Sequence, residues 1–343
     1  MDPTRFKKAV LPGLKASGSP ALTYNNLSTG GGRLCFTDSH QVHLIVQESL
    51  ISGETRISQA GLKDSNVIYE SKFVTVRKQV YLVIATDAGV QFWDALGNNI
   101  LFNFVLPAES PGTSEAHRIR STFMRAIAVV LTAEETEVIC VGSTSGDIFV
   151  FEGSGIKFRH VQTLRGHTEA VTSLTSDYGC RLSEDSGAMR RLFSTDDGGR
   201  VIAWDAVSPS MFEKSFIIEN EQCVPFVAAA VRDNRLVCAL SNGTLCFYNL
   251  ETRTKWLELH AHSRFASALM LHPTEDKLVS AAEDSTLQVL TLPQQGEKIQ
   301  IIMTTSWPDS MITGATFFGK GHNDIAACAY DTDELRVWAG NAA

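Results

Sequence analysis

Apolar and polar residues alternate with a period of two through most of the chain, in short runs broken by tight polar turns. Period-two alternation marks strands with one buried face, and Asp, Asn, Ser and Gly in the turns supply the backbone conformations that hairpins need. Helical periodicity is nowhere sustained. The stretch from Ser114 to Val130 comes nearest, and it ends in a β-branched run that suits a strand better. The pattern predicts an all-β protein.

One hairpin unit recurs along the chain, as RLCFTDSHQVHLI, LVIATDAGVQFWD, VICVGSTSGDIFVFE, LFSTDDGGRVIAWD, LVCALSNGTLCFYN, LVSAAEDSTLQVLT and IAACAYDTDELRVW. These seven copies end on Ile45, Trp93, Phe151, Trp204, Tyr248, Leu290 and Trp338, at spacings of 42 to 58 residues. A four-stranded propeller blade takes about 40 to 45 residues. Further apolar runs before the hairpins (MRAIAVVL, VTSLTSD, ITGATFF) and after them (KWLELH, IQIIMTT) bring each repeat to four strands. The expected architecture is a single seven-bladed β-propeller occupying residues 1–343, expected as a monomer within a larger complex. Too few residues follow Trp338 for a fourth strand, so residues 1–14, in particular Arg5 to Leu14, are expected to supply the outer strand of the last blade. Closing the ring in this way covers the edge that a three-stranded last blade would leave open.

The segment LRGHTEAVTSL followed by LFSTDDGGRVIAWD places Gly166-His167 and Trp204-Asp205 in the order and spacing of a WD repeat, and the chain resembles that family of propellers. The resemblance implies a buried tetrad of His, Ser or Thr, Asp and Trp within a blade. In the fourth copy it falls on His167, Ser194 and Trp204, with the Asp position on Gly198 and Asp197 beside it. In the sixth it falls on His262, Ser280 and Asp284, with Leu290 in place of Trp. The other five copies are too degenerate to carry a tetrad. Passages such as PALTYNNLSTGG and HAHSRFASALMLHPTEDKLVSAAEDSTLQVL extend the likeness to one member of the family from end to end. That member implies a cytoplasmic adaptor, with a ciliary, axonemal or other cytoskeletal subunit as the alternative.

Charge narrows the partners. A formal charge of -8 and a pI near 5.6 repel nucleic acid and anionic lipid and favour proteins or peptides with basic surfaces. The N-terminus lacks a signal-peptide pattern and no apolar run is long enough to span a bilayer, which reads as an intracellular, cytoplasmic protein. Seven cysteines without a C-x-x-C pair read as reduced, mostly buried thiols, and the sequons at Asn26 and Asn242 as chance matches.

No catalytic constellation, cofactor or metal is expected. His260 and His262 form an H-x-H pair, but His262 is needed for the tetrad and no acid or thiol cluster completes a site. Met189-Arg190-Arg191-Leu192 lacks the glycine and second basic pocket of a phosphoinositide motif, and Gly30-Gly31-Gly32 lacks the Lys-Ser/Thr of a phosphate loop. Acids recur at the same turn of successive copies, Asp87, Asp147, Asp196, Asp197, Glu283, Asp284, Asp331 and Asp333, which is turn chemistry. In the WD topology these turns lie on one face, so that face is expected to be acidic, above a channel lined by Ala, Val, Leu and Thr. A binding patch centred on Trp307, Phe265 and Arg264 is expected there, with packing over the ring as the other reading of Trp307.

Overall fold

The computed structural model describes residues 6–7, 14–15, 18–46, 57–61, 67–106, 122–178, 190–220 and 222–340. Two short strands, β1 (Phe6–Lys7) and β2 (Leu14–Lys15), precede six complete blades. Blade 1 is β3 (Ser28–Gly30), β4 (Arg33–Thr37), β5 (Gln41–Val46) and β6 (Ile57–Gly61). Blade 2 is β7 (Ile68–Val76), β8 (Gln79–Thr86), β9 (Gly89–Asp94) and β10 (Ile100–Val105). Blade 3 is β11 (Met124–Leu131), β12 (Glu137–Ser143), β13 (Asp147–Glu152) and β14 (Arg159–Arg165). Blade 4 is β15 (Val171–Thr175), β16 (Arg191–Asp196), β17 (Arg200–Ser208) and β18 (Met211–Glu219). Blade 5 is β19 (Phe226–Arg232), β20 (Arg235–Leu240), β21 (Thr244–Asn249) and β22 (Thr254–His260). Blade 6 is β23 (Ala266–Leu271), β24 (Lys277–Ala282), β25 (Thr286–Thr291) and β26 (Ile301–Ser306). Blade 7 is β27 (Ile312–Phe318), β28 (Asp324–Ala329) and β29 (Glu334–Gly340).

Each blade is an antiparallel meander, and the first strands of blades 2 to 6, with Ser28 of blade 1, line a central channel. The second-to-third-strand turns and the loops leading into each first strand therefore open on the same face, here called the top. Innermost strands such as FVAAAVR and ASALML are almost wholly buried, since small side chains suit the crowded centre of the ring. Outer strands are half exposed. The apolar cores lie between blades: Phe92 of blade 2 meets Phe151 and Phe158 of blade 3, and Trp204 of blade 4 packs with Val138 and Val150 of blade 3. A fully buried aromatic or aliphatic side chain of this size contributes about 1.5–3 kcal/mol.

The ring closes on its outside where expected. β1 and β2 pair antiparallel with β29, in the registers Phe6↔Gly340, Lys7↔Ala339, Leu14↔Leu335 and Lys15↔Glu334. The remainder of Arg5 to Leu14 lies outside the described residues.

The same seam is also closed from within. Residues 21–27 run from β2 toward β3 across the channel wall. Asn25 receives a bond from the Leu269 N–H at its side-chain oxygen (3.0 Å) and donates its own N–H to the Ser267 carbonyl (2.8 Å), both on blade 6. Asn26 donates its N–H to Thr313 of blade 7 (2.9 Å), while its buried amide bonds Ala21 and both the N–H and the carbonyl of Thr37 on blade 1. Gly314 makes the crossing possible, because a Cβ there would come within 2.6 Å of the Asn26 and Leu27 backbone. This segment acts as an inner clasp over the junction of the first and last blades.

On the opposite face, Arg232 is fully buried at the end of β19 and donates to the carbonyls of His272 and Glu275 in blade 6, with Asp276 at 3.4 Å. The described cysteines are free thiols, and burial pushes those of Cys35 and Cys328 up to about 12. Cys223 is the exposed one among the described cysteines.

Candidate functional site: the top face and channel mouth

Blade 4 holds a complete polar tetrad, with one correction. The carboxylate is Asp196, the last residue of β16, and neither Gly198 nor Asp197 takes that place. The Trp204 indole N–H donates to Ser194 Oγ (2.8 Å), Ser194 Oγ lies 2.6 Å from His167 Nε2, and His167 Nδ1 lies 2.7 Å from Asp196 Oδ2. A carboxylate can only accept, so Nδ1 carries the proton, Nε2 accepts from the serine, and every donor points the same way along the chain. Burial works to raise the Asp196 carboxyl, but bonds from His167 and the Arg200 N–H outweigh it and hold it below the usual range.

Blade 6 holds a looser version. His262 Nε2 meets Ser280 Oγ at 2.9 Å, while its Nδ1 meets Thr286 Oγ1 at 2.9 Å, closer than Asp284 Oδ1 at 3.4 Å. Thr286 passes the bond on to Asp284 at 2.6 Å, and Leu290 closes the stack with apolar surface. His260 is exposed and bonds Thr244, so the H-x-H pair does not converge. Elsewhere the Trp position is filled without its partners: Trp93 donates to Gln91, and the buried Trp338 indole N–H is unmatched.

Burial lowers the imidazole pKa of His262 and of His272. Folded values below the unfolded 6.5 mean that these groups contribute fully above that pH and lose stability as the pH falls through it. The melting temperature is therefore expected to drop between about pH 7.5 and about pH 5, with a smaller slope in His262→Gln, measured by differential scanning fluorimetry. Glu70, whose carboxyl burial raises, acts in the opposite sense, so the variant is the decisive comparison.

The top face is acidic at its turns. Asp87, Asp147, Asp197, Glu283, Asp284, Asp331 and Asp333 all lie in or beside the second-to-third-strand turns, as does Asn242. The side chains of Asp196 and Asp284, 0% and 8% exposed, are removed from that surface by their bonds within the blade 4 and blade 6 networks. At the channel mouth, Tyr24 of the clasp stacks on Phe265 (4.6 Å between centroids), and Tyr69 stacks on Phe123 (3.7 Å). Burial raises the Tyr24 phenol, Arg125 opposes this, and Asp197 and Glu283 add to it, which places the hydroxyl in reach of charges from blades 3, 4 and 6.

The expected patch changes its centre. Trp307 is only 4% exposed: it packs in the core with Ala268, Val279 and Leu287, beneath the Arg336 guanidinium at 4.3 Å. Its indole is structural and cannot anchor a partner. Arg264 is exposed and Phe265 is half-buried in the stack with Tyr24. Tyr24, reached only through the folding of the clasp, is the aromatic that the sequence reading missed.

Below the mouth the channel encloses about 310 Å³ and has two unlike walls. Blades 5 and 6 line it with Ala229, Val231 and Leu269, as expected. Blades 2 to 4 contribute Glu70, Lys72, Arg125 and Ser173, which the sequence reading did not foresee. These groups are engaged within the ring. Glu70 accepts the Ala126 N–H (2.6 Å), which a β-bulge with φ of 64° at Ala126 would otherwise leave unpaired. Lys72 donates to the Ile127 carbonyl (2.7 Å), and Arg125 pairs with Asp197 at 3.2 Å. Arg190 and Arg191 are likewise occupied, by Ala133 and Glu135 and by Asp205. Among the described residues, no three His, Cys, Asp or Glu side chains converge as a metal site.

A closed ring of four-stranded blades carrying a His–Ser–Asp–Trp network defines a WD-repeat β-propeller. The WDR54 family model matches residues 35–340, and the chain belongs to the WDR54 family. It is 25% identical over 263 residues to WD repeat domain 54 of Rattus norvegicus, covering 75% of this chain and 74% of that protein. WD repeat-containing protein 54 of Homo sapiens is 24% identical over 264 residues, with the same coverage. In fold alone, it is similar to a chain in the crystal structure of the mitotic checkpoint complex, with a TM-score of 0.76, 16% identity and coverage of 99% of this chain and 94% of that one. It is also similar to Chaetomium thermophilum Raptor, with a TM-score of 0.72, 10% identity and coverage of 99% and 29%.

Proposed function

We propose that this chain is a non-catalytic scaffold that binds a basic segment of another protein on its top face, within a cytoplasmic assembly. The observation that carries this reading is the set of turn carboxylates around a mouth walled by the Tyr24–Phe265 and Tyr69–Phe123 stacks. Carboxylates attract and orient Lys and Arg, and aromatic faces accept both cations and apolar side chains. The WD-repeat fold and the WDR54 family support an interaction role. The charged groups of the channel wall are spent on bonds between blades, which favours a binding surface over a reaction chamber.

Affinity purification from native lysate with mass spectrometry tests it, comparing tagged wild type with Phe265→Ala and with Glu283→Lys/Asp333→Lys. Partners of the wild type are expected to be lost from both variants and released as salt rises from about 0.1 to about 0.5 M. Retention of every partner by folded variants overturns the reading.

A further inference from the structure

Blade 2 has an unguarded outer edge. Its last strand, β10, reads ILFNFV and carries no charge, as do β6 (ISQAG) and β26 (IIMTTS), whereas β14, β18 and β22 each carry Lys, Arg, His or Glu. Natural edge strands are commonly guarded by such charges, because an uncharged apolar edge invites another strand to pair with it. Two side chains of β10 are among the most exposed large apolar groups, Ile100 at 51% and Val105 at 65%.

The backbone polarity of this edge follows from its pairing with β9. Leu106 donates its N–H to Ala88, and the register runs Phe104↔Val90 and Phe102↔Phe92. Residues 102, 104 and 106 thus turn their polar groups toward β9. By the alternation of an antiparallel ladder, Asn103 and Val105 turn theirs outward, away from the sheet, while the register shift between Ile100 and Phe102 takes Leu101 out of that alternation.

The order of residues around Asn103 is close to a palindrome. Phe102 and Phe104 flank it, Leu101 and Val105 come next, and Ile100 and Leu106 lie beyond. A strand that pairs antiparallel with its own copy about a two-fold axis needs this symmetry, since each residue then meets its mirror position. We propose that β10 is a self-association edge: two copies of this chain pair through β10 with Asn103 on the axis, joining two blades into one eight-stranded sheet. Asn103 then bonds its counterpart backbone in both directions, Leu101 lies opposite Val105 of the second copy, and Phe102 opposite Phe104. Aromatic and apolar cross-strand pairs of this kind are among the more favourable ones, and no like charges are brought together.

The test uses the full chain. Sedimentation velocity from about 1 to about 100 µM is expected to show a monomer–dimer equilibrium that Asn103→Lys, which sets two ammonium groups on the axis, weakens by at least about tenfold. An unchanged melting temperature in that variant shows that the exposed site alone is affected. Oxidative cross-linking then reads the register. Asn103→Cys places two thiols on residues about 5.5 Å apart between Cα atoms, within disulfide reach, while Val105→Cys thiols lie four residues out of step. Covalent dimer from Asn103→Cys well above the level given by wild type and by Val105→Cys supports the proposal. A monomer at every concentration overturns it and leaves the edge to a strand of another protein. A dimer indifferent to Asn103→Lys, or equal cross-linking at both positions, overturns it in favour of a different self-contact.

Discussion

Replacing His167 with alanine is expected to lower the unfolding free energy by about 3–5 kcal/mol, read as a fall in denaturant midpoint with an unchanged slope. The size follows from what is left behind. Asp196, whose side chain is fully buried, keeps only the Arg200 N–H, and Ser194 is left with the longer bond to the Ile202 carbonyl at 3.3 Å. Breaking one member of a buried charged network costs more than the network's net worth, because the abandoned partners stay desolvated. His262→Ala in blade 6 should cost only about 1–3 kcal/mol, since its nearest partners are the neutral hydroxyls of Ser280 and Thr286 and no indole depends on it. Equal losses at the two sites would sink the distinction between a closed tetrad and a loose one.

Breaking the seam from inside should be nearly as costly. Asn26→Ala removes three buried side-chain bonds and strands the Thr37 N–H, with an expected loss of about 2–4 kcal/mol. Deleting residues 1–15 takes away the outer strands paired with β29 and leaves the clasp to hold blades 1 and 7 together. Asn26→Ala should therefore cost more in the shortened chain than in the full one, as a double-mutant cycle on thermal or denaturant unfolding would measure. Strict additivity would mean that the two closures do not share a load.

The ring was readable in the sequence because each hairpin announces itself locally, by alternation and by its turn residues, and because repetition confirms every copy. Three members of the blade 4 tetrad were readable for the same reason. The fourth was misplaced by one or two positions, since a motif fixes order while the bulge and turn fix which acid faces His167; here that is Asp196. Trp307 was ambiguous because an aromatic in a loop looks alike whether a guanidinium or a partner covers it. Nothing in the sequence marks Arg232 for burial, yet it is wholly buried because the neighbouring blade offers carbonyls at its tip. The clasp was invisible: PALTYNNL shows no strand alternation that would place it, and partners such as Leu269 and Cys328 lie hundreds of residues downstream.

That last separation has a consequence for how the protein comes into being. Asn25 waits for Leu269, 244 positions later, and the Asn26 carbonyl for the Cys328 thiol, 302 positions later. Contacts this distant in the chain are slow to form, and a growing chain cannot make them until blades 6 and 7 have left the ribosome. Asn25 and Asn26 would thus be among the last residues of the ring to find their places, and while the later blades are being made they would have to be kept from engaging the wrong one.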